Sequence, residues 1–464
     1  MTNRIMGKYH LYFFIFLLSV YSCKSDNFLP AKNNEYQGLS WPEWAINANI
    51  YEVNIRQYTE EGSFKGFTNH IPRLKEMGVD ILWLMPIFPI SDTKKKGSLG
   101  SYYAVSNYTD VNPEFGTIED FRTLVNTAAA YDIKIILDWV PNHTGWDHVW
   151  ITENPEFYTV DQDGNITDPI QPDTGESWGW TDVADLNYDN RTMRQKMIDA
   201  MLYWVNEENI MGFRQDVAGE VPLDFWEEAT SALLQANSNL FLLAEAQKPE
   251  HFDRQVFHAG YGWDFHHLLN DVAKGEKNAD DIFNWVTNEK PKFKNGTLMH
   301  FTSNHDENSW QGTEFERMGP LASSMAIIAH TIDGIPLIYS GQEEPLRRRL
   351  EFFEKDNIAF NKFAYESFYK KLNELKHKNR ALWNGPYGGV AQRWIERPDV
   401  LAYLRESNGD QVIVMVNLSD KAAKIQIPEN VSGFKDVFTG SEIQLDKDEM
   451  YVLHKNSFAL WSNR

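Results

Sequence analysis

Short apolar runs alternate with longer amphipathic segments from about residue 50 to residue 378. The apolar runs are five to seven residues long, as in buried strands. The segments between them repeat apolar residues every three or four positions, as in helices. This alternation predicts repeated strand and helix units around a parallel sheet. Eight strands are expected, at residues 50–55, 79–85, 133–139, 211–217, 240–246, 260–264, 298–303 and 336–340.

The helices expected between and after these strands complete a TIM (β/α)8 barrel, an α/β fold of about 250 residues or more. They are predicted at residues 66–77, 118–131, 191–209, 223–236, 322–332 and 363–378. We assign residues 41–383 of the 464 to this barrel.

After residue 383 the pattern changes to an alternation of apolar and polar residues, which is typical of half-buried antiparallel strands. Such strands are expected at 400–406, 411–417, 424–427 and 449–453. Asn408 and Gly409 suit a two-residue hairpin turn between the first two. Residues 384–464 are therefore predicted to form a C-terminal antiparallel β-sandwich domain.

The first 22 residues read as an export signal, because Arg4 and Lys8 precede the apolar run 11–20. Residues Val20-Tyr-Ser-Cys23 resemble a bacterial lipobox, which implies a lipid anchor on Cys23 after cleavage. The alternative is an ordinary signal peptide or membrane anchor with an incidental cysteine. Residues 23–40 are polar and suit a linker. We expect an exported bacterial lipoprotein, held to a membrane and facing the periplasm or the cell surface.

Composition excludes two classes of function. Acidic residues outnumber basic ones by 66 to 44, for a net charge of -22, which argues against a nucleic-acid partner. Cys23 is the single cysteine, so the chain has no intramolecular disulfide and no cysteine metal cluster.

Polar residues stand at the ends of four predicted strands, where barrel enzymes hold their working groups. The third strand leads to Asp138, Asn142 and His143, the fourth to Arg214 and Asp216, the fifth to Glu245, and the seventh to His305 and Asp306. Asp216 and Glu245 are 29 positions apart, about one βα unit, and Glu245 and Asp306 are 61 apart, about two. The three acids therefore fit one barrel mouth.

The interval of 78 positions between Asp138 and Asp216 is longer than one unit needs. The excess lies in residues 144–189, which are rich in Gly, Pro, Asp, Asn and Trp. These residues are predicted to form a small lobe inserted after the third strand.

Clustered acids raise one pKa and leave the others ionised, which separates a proton donor from a nucleophile. Hydrolysis of a glycosidic bond uses such a pair. Arg214 lies two residues before Asp216, on the same face of a strand, and can hold that carboxylate ionised. The alternatives are a divalent-metal site and acids that cap the following helices.

These stretches resemble the conserved regions of the α-amylase family, glycoside hydrolase family 13, and in the same order. They are Asp138-Trp-Val-Pro-Asn-His143, Gly212-Phe-Arg-Gln-Asp216, Glu245, Asn304-His-Asp306, Gly100-Ser-Tyr-Tyr103 with the residues to Gly116, and Ala184-Asp-Leu-Asn187. The likeness runs from about residue 50 to the C-terminus.

The resemblance implies cleavage of α-1,4-glucosidic bonds in starch or maltooligosaccharides, with retention of configuration. Asp216 would form the covalent glycosyl-enzyme, Glu245 would be the general acid and base, and Asp306 would stabilise the transition state. Tyr103, Asp138, His143, Arg214 and His305 would bind substrate or orient the acids. The histidines could instead be buried groups satisfied by their neighbours. Trp178, Trp180, Trp263 and Trp310 are candidates for sugar platforms or for core packing.

The chain departs from the family's pattern just after Asp216. Relatives often have a Lys-His pair three and four residues on, which binds the leaving group, and here Gly219 and Glu220 stand there. No cofactor is needed for the chemistry. The resemblance allows a structural calcium held by Asn142 and the carbonyl of Glu220, with Asp182 or Asp185 completing the shell.

Two rival functions remain open. A cyclomaltodextrinase, neopullulanase-like enzyme or α-glucan transglycosylase would share these acids. A non-catalytic glucan-binding lipoprotein would be expected to lose at least one of Asp216, Glu245 and Asp306, and all three are present.

Overall fold

The computed structural model describes residues 39–171 and 174–464. The predicted leader, Cys23 and nearly all of the predicted linker lie outside the described residues. In the described part of the chain there is no helix that is long and apolar enough to cross a membrane.

Eighteen strands are present in the described residues. They are β1 (Ile50–Val53), β2 (Ile81–Leu84), β3 (Lys134–Trp139), β4 (His143–Gly145), β5 (Val183–Asp185), β6 (Gly212–Gln215), β7 (Phe241–Ala244), β8 (Ala259–Tyr261), β9 (Thr297–His300), β10 (Ile335–Tyr339), β11 (Gln392–Arg393), β12 (Val400–Ser407), β13 (Asp410–Asn417), β14 (Ala423–Gln426), β15 (Val431–Asp436), β16 (Glu442–Leu445), β17 (Met450–Leu453) and β18 (Phe458–Ser462).

Eight of these strands form a closed parallel barrel in the order β1-β10-β9-β8-β7-β6-β3-β2. Each of the eight predicted strands is found, and the predicted barrel fold is confirmed. Inward-pointing residues fill the barrel, among them Ile81, Ile136, Leu243 and Met299, all fully buried. At the start of β6, Gly212 allows β7 to come close, because a Cβ there would lie 1.9 Å from the Phe241 carbonyl oxygen.

Thirteen α-helices in the described residues pack around the barrel or extend its loops. They are α1 (Ile55–Tyr58), α2 (Phe64–Thr68), α3 (Ile71–Glu76), α4 (Ile118–Ala130), α5 (Val149–Glu153), α6 (Arg191–Asn206), α7 (Leu223–Ala236), α8 (Pro249–Asp253), α9 (Trp263–Lys274), α10 (Ala279–Asn288), α11 (Glu314–Met318), α12 (Ala322–Thr331) and α13 (Glu366–Lys378).

The helix predicted at 66–77 is wrong as one element, since α2 and α3 replace it. Pro72 would fall inside a continuous helix, where it cannot donate a hydrogen bond and its ring clashes with the preceding turn. In the structure Pro72 lies in the first turn of α3, which tolerates it. The helix predicted at 363–378 begins at Glu366, because Phe363 has a positive φ of 47°.

The segment between β3 and α6 contains the antiparallel pair β4 and β5, in which His143 pairs with Asp185. This segment includes the predicted lobe, which we call the inserted lobe (144–189).

The C-terminal region contains a six-stranded antiparallel sheet, β11-β12-β13-β18-β15-β16, and a two-stranded sheet, β14-β17. Val400, Met415 and Trp461 from the larger sheet share one buried cluster with Ile425 and Leu453 from the smaller sheet. The two sheets thus pack face to face, and the predicted antiparallel C-terminal domain is confirmed. The predicted domain boundaries themselves stay predictions.

Candidate active site

A cavity of about 420 Å³ opens at the carboxyl ends of the barrel strands. Asp216 follows β6, Glu245 follows β7, and Asp306 lies in the loop after β9. All three line the cavity, together with Lys96, Ser101, Tyr103, His143, Trp180, Asp182, Val183, Val217, His305, Trp310, Phe352 and Phe353. The acids predicted to share one barrel mouth therefore face one space.

Arg214 connects three carboxylates below the cavity. Its Nη1 lies 2.9 Å from Asp138 Oδ1 and 2.8 Å from Asp216 Oδ1, and its Nη2 lies 2.8 Å from Glu245 Oε1. The side chains of Arg214 and Asp138 are fully buried. One guanidinium thus compensates the charge of the acids on three adjacent strands.

The charges around Asp216 set its protonation. Burial and the charge of Glu245 raise the pKa of the Asp216 carboxyl well above its usual value, although Arg214 opposes them. Burial also raises the pKa of Asp138 to about 6, again against the effect of Arg214. The free site therefore holds a proton among its acids more readily than isolated carboxyl groups would.

Asp138 braces the site from beneath and does not line the cavity. Its Oδ2 accepts hydrogen bonds from the Tyr103 hydroxyl, at 3.0 Å, and from Trp83 Nε1, at 3.1 Å. Its Oδ1 accepts from Arg214. Asp138 and Arg214 thus lie outside the cavity lining, while Tyr103 and His143 reach the cavity wall.

His305 is held between two acids. Its Nδ1 lies 2.5 Å from Glu52 Oε1, and its Nε2 lies 3.1 Å from Asp306 Oδ2 and 2.9 Å from the Tyr103 hydroxyl. Burial disfavours the charged ring, but Asp306 and Glu52 outweigh it and raise the pKa of His305 well above its usual value. In turn, burial raises the pKa of Asp306, but His305 and Arg214 overcome this effect and lower it.

Glu52 belongs to the hydrogen-bond network of the site, and the sequence analysis missed it. It lies in β1 with its side chain fully buried, inside the otherwise apolar run Ile50-Tyr-Glu-Val53. Burial raises the pKa of Glu52, and His305 opposes that rise. An acid in a strand that is otherwise apolar was the available signal.

His143 is the neutral histidine of the cavity wall. Burial lowers its pKa to about 4, with Asp182 acting in the opposite direction. Its Nδ1 lies 3.3 Å from Asn142 Nδ2, and its ring makes an edge contact with Trp180 at 5.9 Å. A neutral imidazole here can exchange hydrogen bonds with hydroxyl groups.

Aromatic rings stand on two sides of the cavity. Trp178 and Trp180 stack at 5.6 Å in the inserted lobe, and Trp310 lies 5.4 Å from Phe352 on the other side. Trp178 and Trp310 are 43% and 52% exposed, so part of each side chain is accessible to a ligand. By contrast, Trp263 lies outside the cavity and packs against Phe301 at 5.3 Å.

Lys248 occupies the space beside Gly219. Its ammonium donates a hydrogen bond to the Gly219 carbonyl, and a Cβ at Gly219 would lie 3.2 Å from its Cε. Lys248 follows β7, three residues after Glu245, and so brings a positive charge close to the position where relatives often have a lysine. Glu220 is exposed.

Two of the side chains considered for calcium have other partners. Asp182 Oδ1 lies 2.8 Å from Lys96 Nζ, and the Asn142 amide contacts His143. Across the described residues, no group of three or more His, Cys, Asp or Glu side chains could hold a metal ion. The possible calcium ion stays a prediction, and we derive no step through it.

Comparisons with known proteins agree with this geometry. Residues 26–396 match the family described as alpha amylase, catalytic domain, and residues 395–459 match the maltogenic amylase C-terminal domain. Alpha-amylase 3 of Dictyoglomus thermophilum is 27% identical over 442 residues, which cover 81% of this chain and 85% of that protein. A cyclomaltodextrinase of Thermoanaerobacter pseudethanolicus is 25% identical over 478 residues, covering 90% and 78%.

The fold has close counterparts among solved structures. An α-amylase from Lactobacillus plantarum superimposes with a TM-score of 0.78 at 28% identity, covering 90% of this chain and 99% of that one. A maltogenic α-amylase, AmyB, from Thermotoga neapolitana has a TM-score of 0.78 at 27% identity, covering 90% and 98%. The chain belongs to the α-amylase family of glycoside hydrolases, with a C-terminal domain of the maltogenic amylase type.

Proposed function

We propose that this protein hydrolyses α-1,4-glucosidic bonds in starch or maltooligosaccharides with retention of anomeric configuration. The proposal rests on one observation. The carboxylates of Asp216 and Glu245 each contact a different nitrogen of the Arg214 guanidinium. This placement suits the short carboxyl separation of about 5–5.5 Å that a retaining mechanism requires.

In the proposed reaction, the proton that the acids of the free site share lies on Glu245 once substrate is bound, and Asp216 is ionised beside Arg214. Asp216 attacks the anomeric carbon while Glu245 donates this proton to the glycosidic oxygen. The bond between the anomeric carbon and that oxygen breaks, and the new carbohydrate chain end leaves. Glu245, now a carboxylate, then removes a proton from water, which attacks the glycosyl-enzyme and releases Asp216. Two inversions give net retention.

Other groups assist this reaction. Asp306 faces the cavity with its pKa lowered, so it stays ionised and can stabilise the positive charge of the oxocarbenium-like transition state. His305 and the neutral His143 can bond hydroxyls of the sugar at the cleavage point, and Tyr103 can stack on its ring.

Retention and the role of Asp216 are tested together with maltoheptaose. Proton NMR of the first products is expected to show α-anomers, and Asp216→Asn is expected to abolish turnover. Asp199→Asn, an exposed change on α6, is the matched control and should keep full activity. First products in the β form, or an active Asp216→Asn, would contradict the proposal.

A second candidate function is that of a cyclomaltodextrinase, neopullulanase-like enzyme or transglycosylase. The absence of the usual Lys-His pair at Gly219 and Glu220, together with the cyclomaltodextrinase relative, favours keeping it. Rates on amylose, cyclodextrin and pullulan, with the ratio of transfer to hydrolysis products, separate these activities.

We further propose that the protein is exported and lipid-anchored through Cys23, facing the periplasm or the cell exterior. The support is the basic start, the short apolar run and the lipobox-like Val20-Tyr-Ser-Cys23. Metabolic labelling with a radioactive fatty acid should mark the protein, and Cys23→Ser should lose the label. Equal labelling of both forms would exclude this anchor.

A further inference from the structure

Part of the loop after β2, residues 92–100, forms a wall over one sector of the barrel mouth. We call this segment the 92–100 loop. Arg56, which follows β1, is buried and donates from Nη1 to the Gly100 carbonyl at 3.1 Å and from Nη2 to the Leu99 carbonyl at 3.3 Å. The loop is therefore anchored above β1.

Lys96, in the middle of this loop, attaches it to the inserted lobe. Lys96 Nζ lies 2.8 Å from Asp182 Oδ1 and 3.4 Å from the Gly179 carbonyl oxygen. Lys96 and Asp182 both line the cavity, and the Asp182 side chain is only 7% exposed. An ion pair shielded in this way is screened less by solvent than one on the open surface.

Backbone groups of the same loop add to this attachment. The amides of Asp92 and Thr93 donate to Asp147 Oδ2 at 2.7 and 2.8 Å. The Lys94 ammonium lies 3.3 Å from the centroid of the Trp146 ring. The loop and the inserted lobe thus form one continuous surface on this side.

Residues 97–99 of the 92–100 loop contact the loop that follows β10. The Ser98 amide donates to Glu354 Oε1 at 2.8 Å, and the Leu99 amide donates to the Phe353 carbonyl at 3.1 Å. Gly97 has a φ of 64°. A Cβ there would lie 2.4 Å from Phe353 Cβ, so at this point the two loops are too close to accommodate a side chain. The wall therefore runs from the inserted lobe to the loop after β10.

The strand order places this wall opposite the proposed proton donor. In the closed barrel β1 lies between β2 and β10, and β7 lies four strands away in either direction. Glu245 follows β7, whereas the 92–100 loop crosses above β1. Because Glu245 protonates the leaving oxygen, the departing part of the glucan lies on its side and the retained part extends toward the wall.

We propose that the 92–100 loop closes the cleft beyond the sugars that become bonded to Asp216. The loop is held in place by the contacts of Lys96 with Asp182 and of Ser98 with Glu354. The enzyme therefore binds the non-reducing ends of chains and releases short fragments of fixed length. This inference rests on the proposed function. An open cleft would instead bind the interior of a long chain.

Two forms of maltoheptaose test the proposal, each with a fluorophore at the reducing end. One has a free non-reducing end, and in the other the O4 and O6 of the terminal glucose are blocked by an ethylidene acetal. The wild type should cleave the free form roughly tenfold faster or more, a ratio typical of steric exclusion by a pocket. Its labelled products should shorten by one constant step.

Breaking the wall should lower this preference. Lys96→Ala and Glu354→Ala each release one attachment and should bring the rate ratio of free to blocked substrate toward one. Lys95→Ala is the matched control, because Lys95 lies in the same loop but pairs with exposed Asp92. It should leave the ratio unchanged.

The outcomes separate the two proposals. No hydrolysis of either maltoheptaose would overturn the proposed function. Hydrolysis of both forms at equal rates by the wild type would be consistent with the proposed function. It would contradict the proposal that the 92–100 loop closes the cleft. A ratio unchanged in both Lys96→Ala and Glu354→Ala, with thermal unfolding as in the wild type, would overturn the role of these attachments.

Discussion

Glu52 and His305 form a buried pair in which Glu52 Oε1 lies 2.5 Å from His305 Nδ1. The opposite ring nitrogen, Nε2, lies 3.1 Å from Asp306 Oδ2. A charged imidazolium therefore stands between a carboxylate in β1 and one of the three acids of the cavity. This relationship links a residue with no direct access to the cavity to the electrostatics of the site.

Glu52→Gln is expected to move the alkaline limb of the activity profile to lower pH. Glu52 and Asp306 raise the pKa of His305 against the effect of burial. Removing one of the two charges lowers that pKa, so the ring loses its proton earlier as pH rises. A nearby opposite charge is worth about one pKa unit or more, and kcat/KM measured against pH should show a shift of this size.

Glu314→Gln is the control for this prediction. Glu314 is also a buried acid, but it bonds Thr302 and Gln342 and does not line the catalytic cavity. Its substitution should leave the alkaline limb in place. If both variants moved the limb equally, a general loss of packing and not the pair would explain the effect.

Arg214→Met is expected to destabilise the fold as well as remove activity. Arg214 neutralises Asp138, Asp216 and Glu245 in a fully buried position, so its loss leaves acids buried without a partner. Breaking such a buried ion pair costs about 3–5 kcal/mol, which urea denaturation can measure. Arg191→Met, which removes an exposed partner of Glu228, should cost at most about 1 kcal/mol. Equal losses in the two variants would contradict the role given to Arg214.

Local patterns in the sequence predicted the barrel and the positions of its acids. Most barrel strands are short, largely apolar runs of the length that a buried parallel strand needs, and Asp216 and Glu245 stand directly after two of the strands. The periodicity at 66–77 predicted one helix, yet Pro72 splits it into two. Apolar spacing alone carries no information on the missing amide hydrogen of a proline.

Contacts between distant parts of the chain were not predictable in the same way. Glu52 and His305 are 253 positions apart, and Lys96 and Ser98 bind the inserted lobe and the loop after β10. A single polar residue in a strand, or a lysine in a loop, is as consistent with solvent exposure as with burial. Whether such a residue is buried or exposed depends on a partner from a distant part of the chain. That partner is known only when the folded barrel brings the loops together.

Chelation of divalent metal ions is expected to leave both activity and stability unchanged. Two of the side chains that could complete a calcium shell have other partners, since Asp182 pairs with Lys96 and the Asn142 amide nitrogen contacts His143. The protein dialysed against EDTA should keep its Tm and its kcat/KM. A fall in Tm that calcium reverses and magnesium does not would contradict this prediction.

Val217 directly follows Asp216 and has a φ of 47°, in the left-handed region that a β-branched residue rarely adopts. Its amide donates to Glu245 Oε2 at 2.8 Å, so this backbone conformation aims a hydrogen bond at the proposed proton donor. An L-residue in this conformation costs about 1–2 kcal/mol, a cost that glycine does not carry. The strain is therefore stored between the two acids proposed for the reaction.

Val217→Gly is expected to be more stable than Val217→Ala by about 1 kcal/mol, because both remove the branched side chain and glycine alone adopts this φ freely. The exposed position Ala129 in α4 supplies the opposite control, since Ala129→Gly should lose about 1 kcal/mol. Activity should fall in Val217→Gly relative to Val217→Ala, because the more mobile backbone holds the amide less firmly against Glu245. If alanine were the more stable residue at position 217, the left-handed conformation would not be imposed by the fold, and the strain would have no role in orienting Glu245.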